Sequence, residues 1–321
     1  MNFILKGLMA CGVLILIGCK GEEQKSFPVY SQTPIMEPEL FAPGIVSSDL
    51  NEFELGFSAD GYTAYFTRRK EGEKQKIYTT TFDGENWGPA VLADFSTDRD
   101  ETVCITPDGK YLYFASQRPI PGRPNLGGFD MNVWQMTKDS TGHWGNPTAL
   151  PAPINEVQVE GENWPSSNNN LFFTNDGENF YYTTMLRGDY AMRLFKTTKE
   201  GDGFSVPEQI DGFFENDSTW VYSAVITPDN EYLLFNTFEA PGGVGGEDLY
   251  ASKRTESGWS PARSITVLNT KDEESSARFS RDGKYFFFTR AENLGDYEYG
   301  PWNIFIVETA ALKLDEMFSD L

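Results

Sequence analysis

Histidine is almost absent from this sequence. Among 321 residues there is one, His143, in a turn ahead of Trp144. A Ser-His-Asp or Cys-His nucleophile needs an imidazole at the reacting centre, and a multi-histidine metal centre needs several. The first has no base where a site would lie, and the second cannot be built. Cysteine is scarce as well. Cys11 and Cys19 fall near the start, and only Cys104 enters the body of the chain, inside an apolar strand pattern. That excludes an internal disulfide and a cysteine zinc cluster, and leaves a small core residue as the expectation. Positive charge is short too: 26 Lys and Arg face 48 Asp and Glu, for a formal net charge of −22. Such acidity disfavours nucleic acid and anionic membrane surfaces as partners. No convincing amphipathic helix precedes residues 309–321.

What is present begins at the N-terminus. Lys6 precedes an apolar run over 7–17, short for a membrane span and placed as a signal-peptide core. It ends in Leu16-Ile17-Gly18-Cys19, which resembles the lipobox of bacterial lipoproteins, where the cysteine is acylated and becomes the mature N-terminus. The polar stretch 20–25 reads as a tether. The expected organisation is a leader over 1–18, acylated Cys19 and a flexible tether over 19–36, a folded body over 37–308, and a tail over 309–321. The resemblance implies a lipid-anchored protein of a Gram-negative outer membrane, on its periplasmic side or at the cell surface.

The folded body is a repeat. One phrase occurs five times: Phe57-Ser-Ala-Asp60-Gly61, Ile105-Thr-Pro-Asp108-Gly109, Phe173-Thr-Asn-Asp176-Gly177, Ile226-Thr-Pro-Asp229-Asn230 and Phe279-Ser-Arg-Asp282-Gly283. Each has the chemistry of a tight hairpin: Asp accepts from nearby amides, and Gly or Asn takes the left-handed conformation. An aromatic-rich strand follows each, then a second hairpin led by Ile77-Tyr78, Val133-Trp134, Leu194-Phe195, Leu249-Tyr250 or Ile304-Phe305. In four copies an aromatic and a nearby proline mark the return strand: Trp87 with Pro89, Trp144 with Pro147, Phe204 with Pro207, and Trp259 with Pro261. The fifth copy lacks one, but Phe41-Ala-Pro43 stands just before the first copy. An N-terminal strand can therefore complete the last blade and close a ring without exposed edges. The expected fold is all-β, a single β-propeller of five four-stranded blades. Six blades is the alternative, with an extra blade in the long third interval.

These residues resemble the WD40-like (PD40-type) propeller repeat of the TolB and OmpA-associated kind, whose signature is an apolar-Ser-Pro-Asp-Gly phrase followed by Tyr-Phe, Asp-x-Tyr and Trp-x-x-Pro. The resemblance spans about residues 37–308. It implies the fold, and members that serve as binding modules, periplasmic adaptors or domains attached to enzymes.

Function is sought where inner strands begin and second strands end. Acid and base recur there: Glu52 with Arg68, Glu101 with Arg118, Glu274 with Arg290, and Glu162 with Arg187 in the longer third copy. They read as structural ion pairs. The fourth copy breaks the pattern with Trp220, Tyr222 and Phe238. With Trp164 these form a candidate stacking wall for a sugar ring or a peptide side chain, beside Arg118, Arg187 and Arg290. The loops 119–129, 241–246 and 291–301 lie at the same rim. The leading expectation is a binding module for a protein or glycan ligand. The alternative is a carboxylate-based glycoside hydrolase using Glu160 and Glu162, the acids in a non-repeated segment. No cofactor is expected; calcium held by the rim acids is the alternative.

Overall fold

A computed structural model describes residues 26–321, apart from 125, 127, 163, 165, 166, 189 and 216–218. Cys19 and the leader lie outside the described residues. The fold is a five-bladed β-propeller. Its inner strands are Asn51–Phe57, Asp100–Ile105, Asn169–Phe173, Tyr222–Ile226 and Glu273–Phe279. Each pairs antiparallel with the strand after its Asp-Gly or Asp-Asn turn, and that strand with a third. The outer strands are short: Val91–Leu92, Thr148–Ala149, Glu208–Ile210 beside Gly203–Phe204, and Arg263–Ser264 beside Gly258–Trp259. The fifth blade takes Glu39–Leu40, with Glu39 opposite Ile306 and Leu40 opposite Phe305. The ring thus closes as the orphaned return strand required. Among the described residues of the long third interval no further sheet forms, which removes the six-bladed alternative.

The repeated phrase folds the same way each time. A Ser or Thr hydroxyl donates to the Asp two residues on, at 2.5 Å for Ser58 and Asp60 and 2.6 Å for Ser280 and Asp282. Successive turns stack around the ring. At Gly283, with φ of +73°, a Cβ would stand 2.5 Å from Pro228 of the preceding blade, so both the conformation and the close approach demand glycine. At the closure the place of that proline passes to Pro28, which covers Gly61.

Two boundaries differ from the sequence reading. The chain is laid on the ring from Pro28 onward, within the stretch read as tether. Tyr30 donates to Gly61 O at 2.7 Å and stands 5.6 Å from Phe57 and 5.3 Å from Tyr285, ring to ring. Ile35 is buried, and its carbonyl accepts from Glu308 N at 2.7 Å. Apolar partners under the closing seam thus hold a segment whose composition alone reads as solvated. The tail is likewise packed: Thr309–Leu312 forms a 3₁₀ turn and Leu314–Met317 a single helical turn. Leu312 and Phe318 are fully buried against Leu234, Leu249, Phe286 and Phe288 of blades four and five.

Every inner strand carries a bulge at the same place. Glu54, Thr102, Asn170, Ser223 and Ser276 all have positive φ, between 46° and 56°, and strand register shifts there in each blade. None is glycine, so the sequence carries no signal for it. A bulge bends a strand and re-aims its side chains. Here it turns five polar side chains toward the axis: Thr102 Oγ1 reaches Asn169 Oδ1 at 2.6 Å, and Ser223 Oγ reaches Asn170 Oδ1 at 2.9 Å, both across blade boundaries.

Candidate functional site

The inner strands surround a central channel, and the side where those strands end is its floor. Two arginines of blade five reach across the axis at that floor. Arg278 Nη2 donates to Leu171 O of blade three at 3.1 Å. Arg281 donates from Nε to Ser58 O at 3.1 Å, and from Nη2 to Phe57 O at 2.6 Å and Ile105 O at 2.7 Å, in blades one and two. Cys104 lines the same floor. It is buried as expected, and burial raises its pKa, so the thiol stays neutral. Higher up, Glu54 accepts from Thr67 Oγ1 at 3.3 Å, and burial, then Glu101, push its pKa up to about 7. Glu101 is held by Arg99 Nε at 2.5 Å and by Asn169 Nδ2 at 3.0 Å.

The rim ion pairs form in part as expected. Arg68 meets Glu52 at 2.8 Å and Arg290 meets Glu274 at 2.7 Å. In blade two the partner of Arg118 is Asp100, at 2.9 Å, and Glu101 pairs with Arg99 instead. The reason is register. Glu52 and Glu274 lie two residues before their bulges, and so does Asp100, whereas Glu101 points into the funnel. Each of these three arginines also ties down the blade-to-blade connection: Arg68 bonds Ile45 O and Val46 O, Arg118 bonds Phe95 O, and Arg290 bonds Leu268 O. Each lies over an aromatic ring of its own blade, 4.7 Å from the centroid for Arg118 over Phe114 and 5.2 Å for Arg290 over Phe288. Arg118 and Arg290 therefore act as clamps within their own blades.

Arg187 is also engaged. It pairs with Glu162 at 2.8 Å and lies 4.4 Å over the ring of Trp164. Trp164 is buried, and its Nε1 donates to Met185 O at 3.2 Å. Trp164 thus stands apart from the other three aromatics, because blade three uses it as the platform for its own arginine. Glu162 also accepts from Val159 N at 3.0 Å, and Glu160 is exposed.

Blade four lacks the clamp, as its sequence implied. Val221 takes the acid's place, and Phe213 packs against Phe235 at 4.8 Å. Trp220, Tyr222 and Phe238 come together at the rim: Trp220 lies 6.0 Å from Tyr222, and Tyr222 lies edge-on to Phe238 at 5.6 Å. Trp220 is 40% exposed and Phe238 47%. Beside them, Glu247 N donates to Glu273 Oε2 at 2.7 Å, and Asn236 Nδ2 donates to the Glu247 carboxylate. Burial, then Glu273, push Glu247 up to about 8. Sequence reading passed over Glu247, which no repeat position marks, and a second aromatic group on the far side of the pair. There Tyr299 and Phe53 each lie 5.8 Å from Trp302, and the same two glutamates act on the Tyr299 hydroxyl.

The loops differ in role. The glycine loop 241–246 is built for packing: Val244 N and Gly245 N donate to Asp248 Oδ2 at 2.8 and 3.1 Å, and a Cβ on Gly245 would stand 2.0 Å from Asp272 O. The loop 291–301 is a small hairpin, Asn293–Gly295 with Glu298–Tyr299, that lifts Tyr297 into solvent. A wide concavity of about 760 Å³ lies elsewhere, on the outer flank between blades one and two beside Val91, Leu92 and Trp144. It carries no convergent acids or orphaned polar groups, so the funnel and its rim are preferred as the site. Among the described residues no three His, Cys, Asp or Glu side chains converge as a metal centre would require.

No protein-family model and no curated protein matches this chain. Solved structures that resemble it include TolB from Acinetobacter baumannii, at 13% identity and a TM-score of 0.47, covering 82% of this chain and 55% of that one. The catalytic domain of a Coprinopsis cinerea GH62 α-L-arabinofuranosidase is similar at 11% identity and a TM-score of 0.49, over 87% of this chain and 99% of that one. A thermostable family-43 glycoside hydrolase is similar at 12% identity and 0.47, over 83% and 90%. The chain thus spans about half the length of the first of these.

Proposed function

We propose that this propeller is a binding module of the WD40-like, TolB-associated repeat type, and that it takes a sugar ring of a glycan on the aromatic wall of blade four. The observation that carries the reading is the wall itself. Trp220, Tyr222 and Phe238 stand together and partly exposed, at a blade that lacks, among the described residues, the acid–arginine clamp. Flat aromatic faces beside carboxyl acceptors suit the apolar face and the hydroxyl edge of a sugar.

The lipid anchor at Cys19 and an outer-membrane location are part of the proposal and rest on the Leu16–Cys19 motif. The fold is compatible with display from such an anchor: residues 28–30 meet the ring at the turn around Gly61, on the rim opposite the wall. No helix among the described residues is long and apolar enough to cross a membrane.

The test is a glycan and polysaccharide array probed with residues 26–321, with product release assayed alongside. Trp220→Ala or Tyr222→Ala is expected to weaken binding about ten- to a hundredfold, at about 1.4 kcal/mol per tenfold. Binding that survives both substitutions sinks the reading; array silence with capture of an envelope protein would make the ligand a protein. A glycan-active enzyme remains the second reading, on one observation: Glu54, with its pKa pushed up to about 7, lies beside donor-bound Glu101. Turnover that disappears in Glu54→Gln would establish it in place of simple binding.

A further inference from the structure

The floor of the funnel has a chemistry that the binding reading does not use. In a chain of net charge −22, Arg68, Arg118 and Arg290 are each paired with an acid. Arg278 and Arg281, turned into the channel, form no ion pair among the described residues. Carbonyl oxygens satisfy Arg281 in part. Arg278 has the single bond to Leu171 O, and its Nε is buried without a partner. Burial disfavours the charge on both guanidinium groups, and Arg278 adds to that at Arg281, while at Arg278 Cys104 and Glu54 act the other way. Two unpaired cations in a narrow channel are costly unless a counter-charge joins them. Between them lies a cavity of about 30 Å³, bordered by Cys104 and Asn175 as well. That volume holds one or two water-sized groups and no larger ligand.

We propose that the channel floor binds one small anion, of halide or carboxylate size, between the guanidinium groups of Arg278 and Arg281. Such an anion accepts from the unfilled donors of Arg278, offsets both charges, and couples blade five to blades one, two and three across the axis. The site is independent of the rim wall and needs no glycan.

The experiment compares thermal unfolding of the purified chain in sodium chloride, sodium acetate and sodium gluconate at equal ionic strength. Gluconate is too large for the cavity. Chloride is expected to raise Tm by about 3–5 °C over gluconate, as ligand linkage predicts well above Kd. Arg278→Gln is expected to erase that difference. Acetate matching chloride identifies the carboxylate as a ligand of the site; acetate matching gluconate confines it to halides. Equal Tm in chloride and gluconate overturns the proposal, as does a difference that persists in Arg278→Gln. If that variant does not fold, crystals of the unaltered chain soaked in bromide decide: an anomalous peak between the two arginines supports the site, and its absence refutes it.

Discussion

Removal of residues 26–46 is expected to cost the protein its cooperative fold. That segment supplies the outer strand of blade five and the packing of the seam between blades five and one. Ile35, Phe41 and Val46 are buried there with Tyr285, Phe287 and Ile306, and Tyr30 stacks among them. Burying each such apolar side chain is worth roughly 1.5–3 kcal/mol, so four of them approach the whole stability of a typical domain, about 5–15 kcal/mol. The shortened chain also leaves the third strand of the fifth blade, Asn303–Glu308, without its neighbour. Thermal unfolding followed by circular dichroism should show a broad or lost transition, restored in part when a peptide of residues 26–46 is added. The point substitution Tyr30→Ala should cost about 3–5 kcal/mol and lower Tm by roughly 5–10 °C. A shortened chain that melts sharply at the original temperature would show that the seam is not where the ring is held.

The second large effect concerns Glu247. Glu247→Gln is expected to stabilise the protein, and to do so only above mildly acidic pH. In the folded chain the carboxyl keeps its proton up to about 8, against 4.5 for the ordinary group. Between those values the native state holds a proton that the unfolded chain releases, so this group's contribution is full below pH 4.5 and is lost as pH rises through 8. The amide cannot ionise and escapes that loss. The gain should be near nothing at pH 4 and grow by about 1.4 kcal/mol per pH unit. It should level off above pH 8, on the order of 5 kcal/mol. Denaturant titrations of both proteins at several pH values measure it directly. A gain that is constant with pH would mean that Glu247 is ionised throughout and that Asn236 and the backbone, not a proton, accommodate it. Glu54 titrates with the same sign, so the unaltered chain should keep a residual slope in both proteins.

Much of this site could be read before folding. The clamp residues Glu52, Arg68, Glu274 and Arg290 were legible because each follows or precedes its turn phrase at one spacing, and a hairpin preserves such spacings in space. The pairing of Arg118 was not, because a bulge displaces side chains by one position and Asp100 and Glu101 are adjacent and alike. Trp220, Tyr222 and Phe238 stood out as departures from a repeat. Trp164, grouped with them as a fourth member of the wall, is buried, since a sequence does not show which way a ring turns. Glu247 and the Tyr299–Trp302 group gave no signal, for their meaning lies in contacts between blades four, five and one.

The sequence by itself determined the repeat, its turn phrases and the strand that closes the ring, and the sheet topology then settled five blades against six. The first three follow from local rules: turn residues with fixed conformations, period-two strands, and one missing return strand matched by one spare. Tertiary structure alone decided what faces the axis. Five bulges without a glycine aim the funnel's side chains, and ring closure brings Arg278 and Arg281 of the last blade against carbonyls of the first three. Such contacts depend on the summed rotation of all five blades, so no single repeat contains the information.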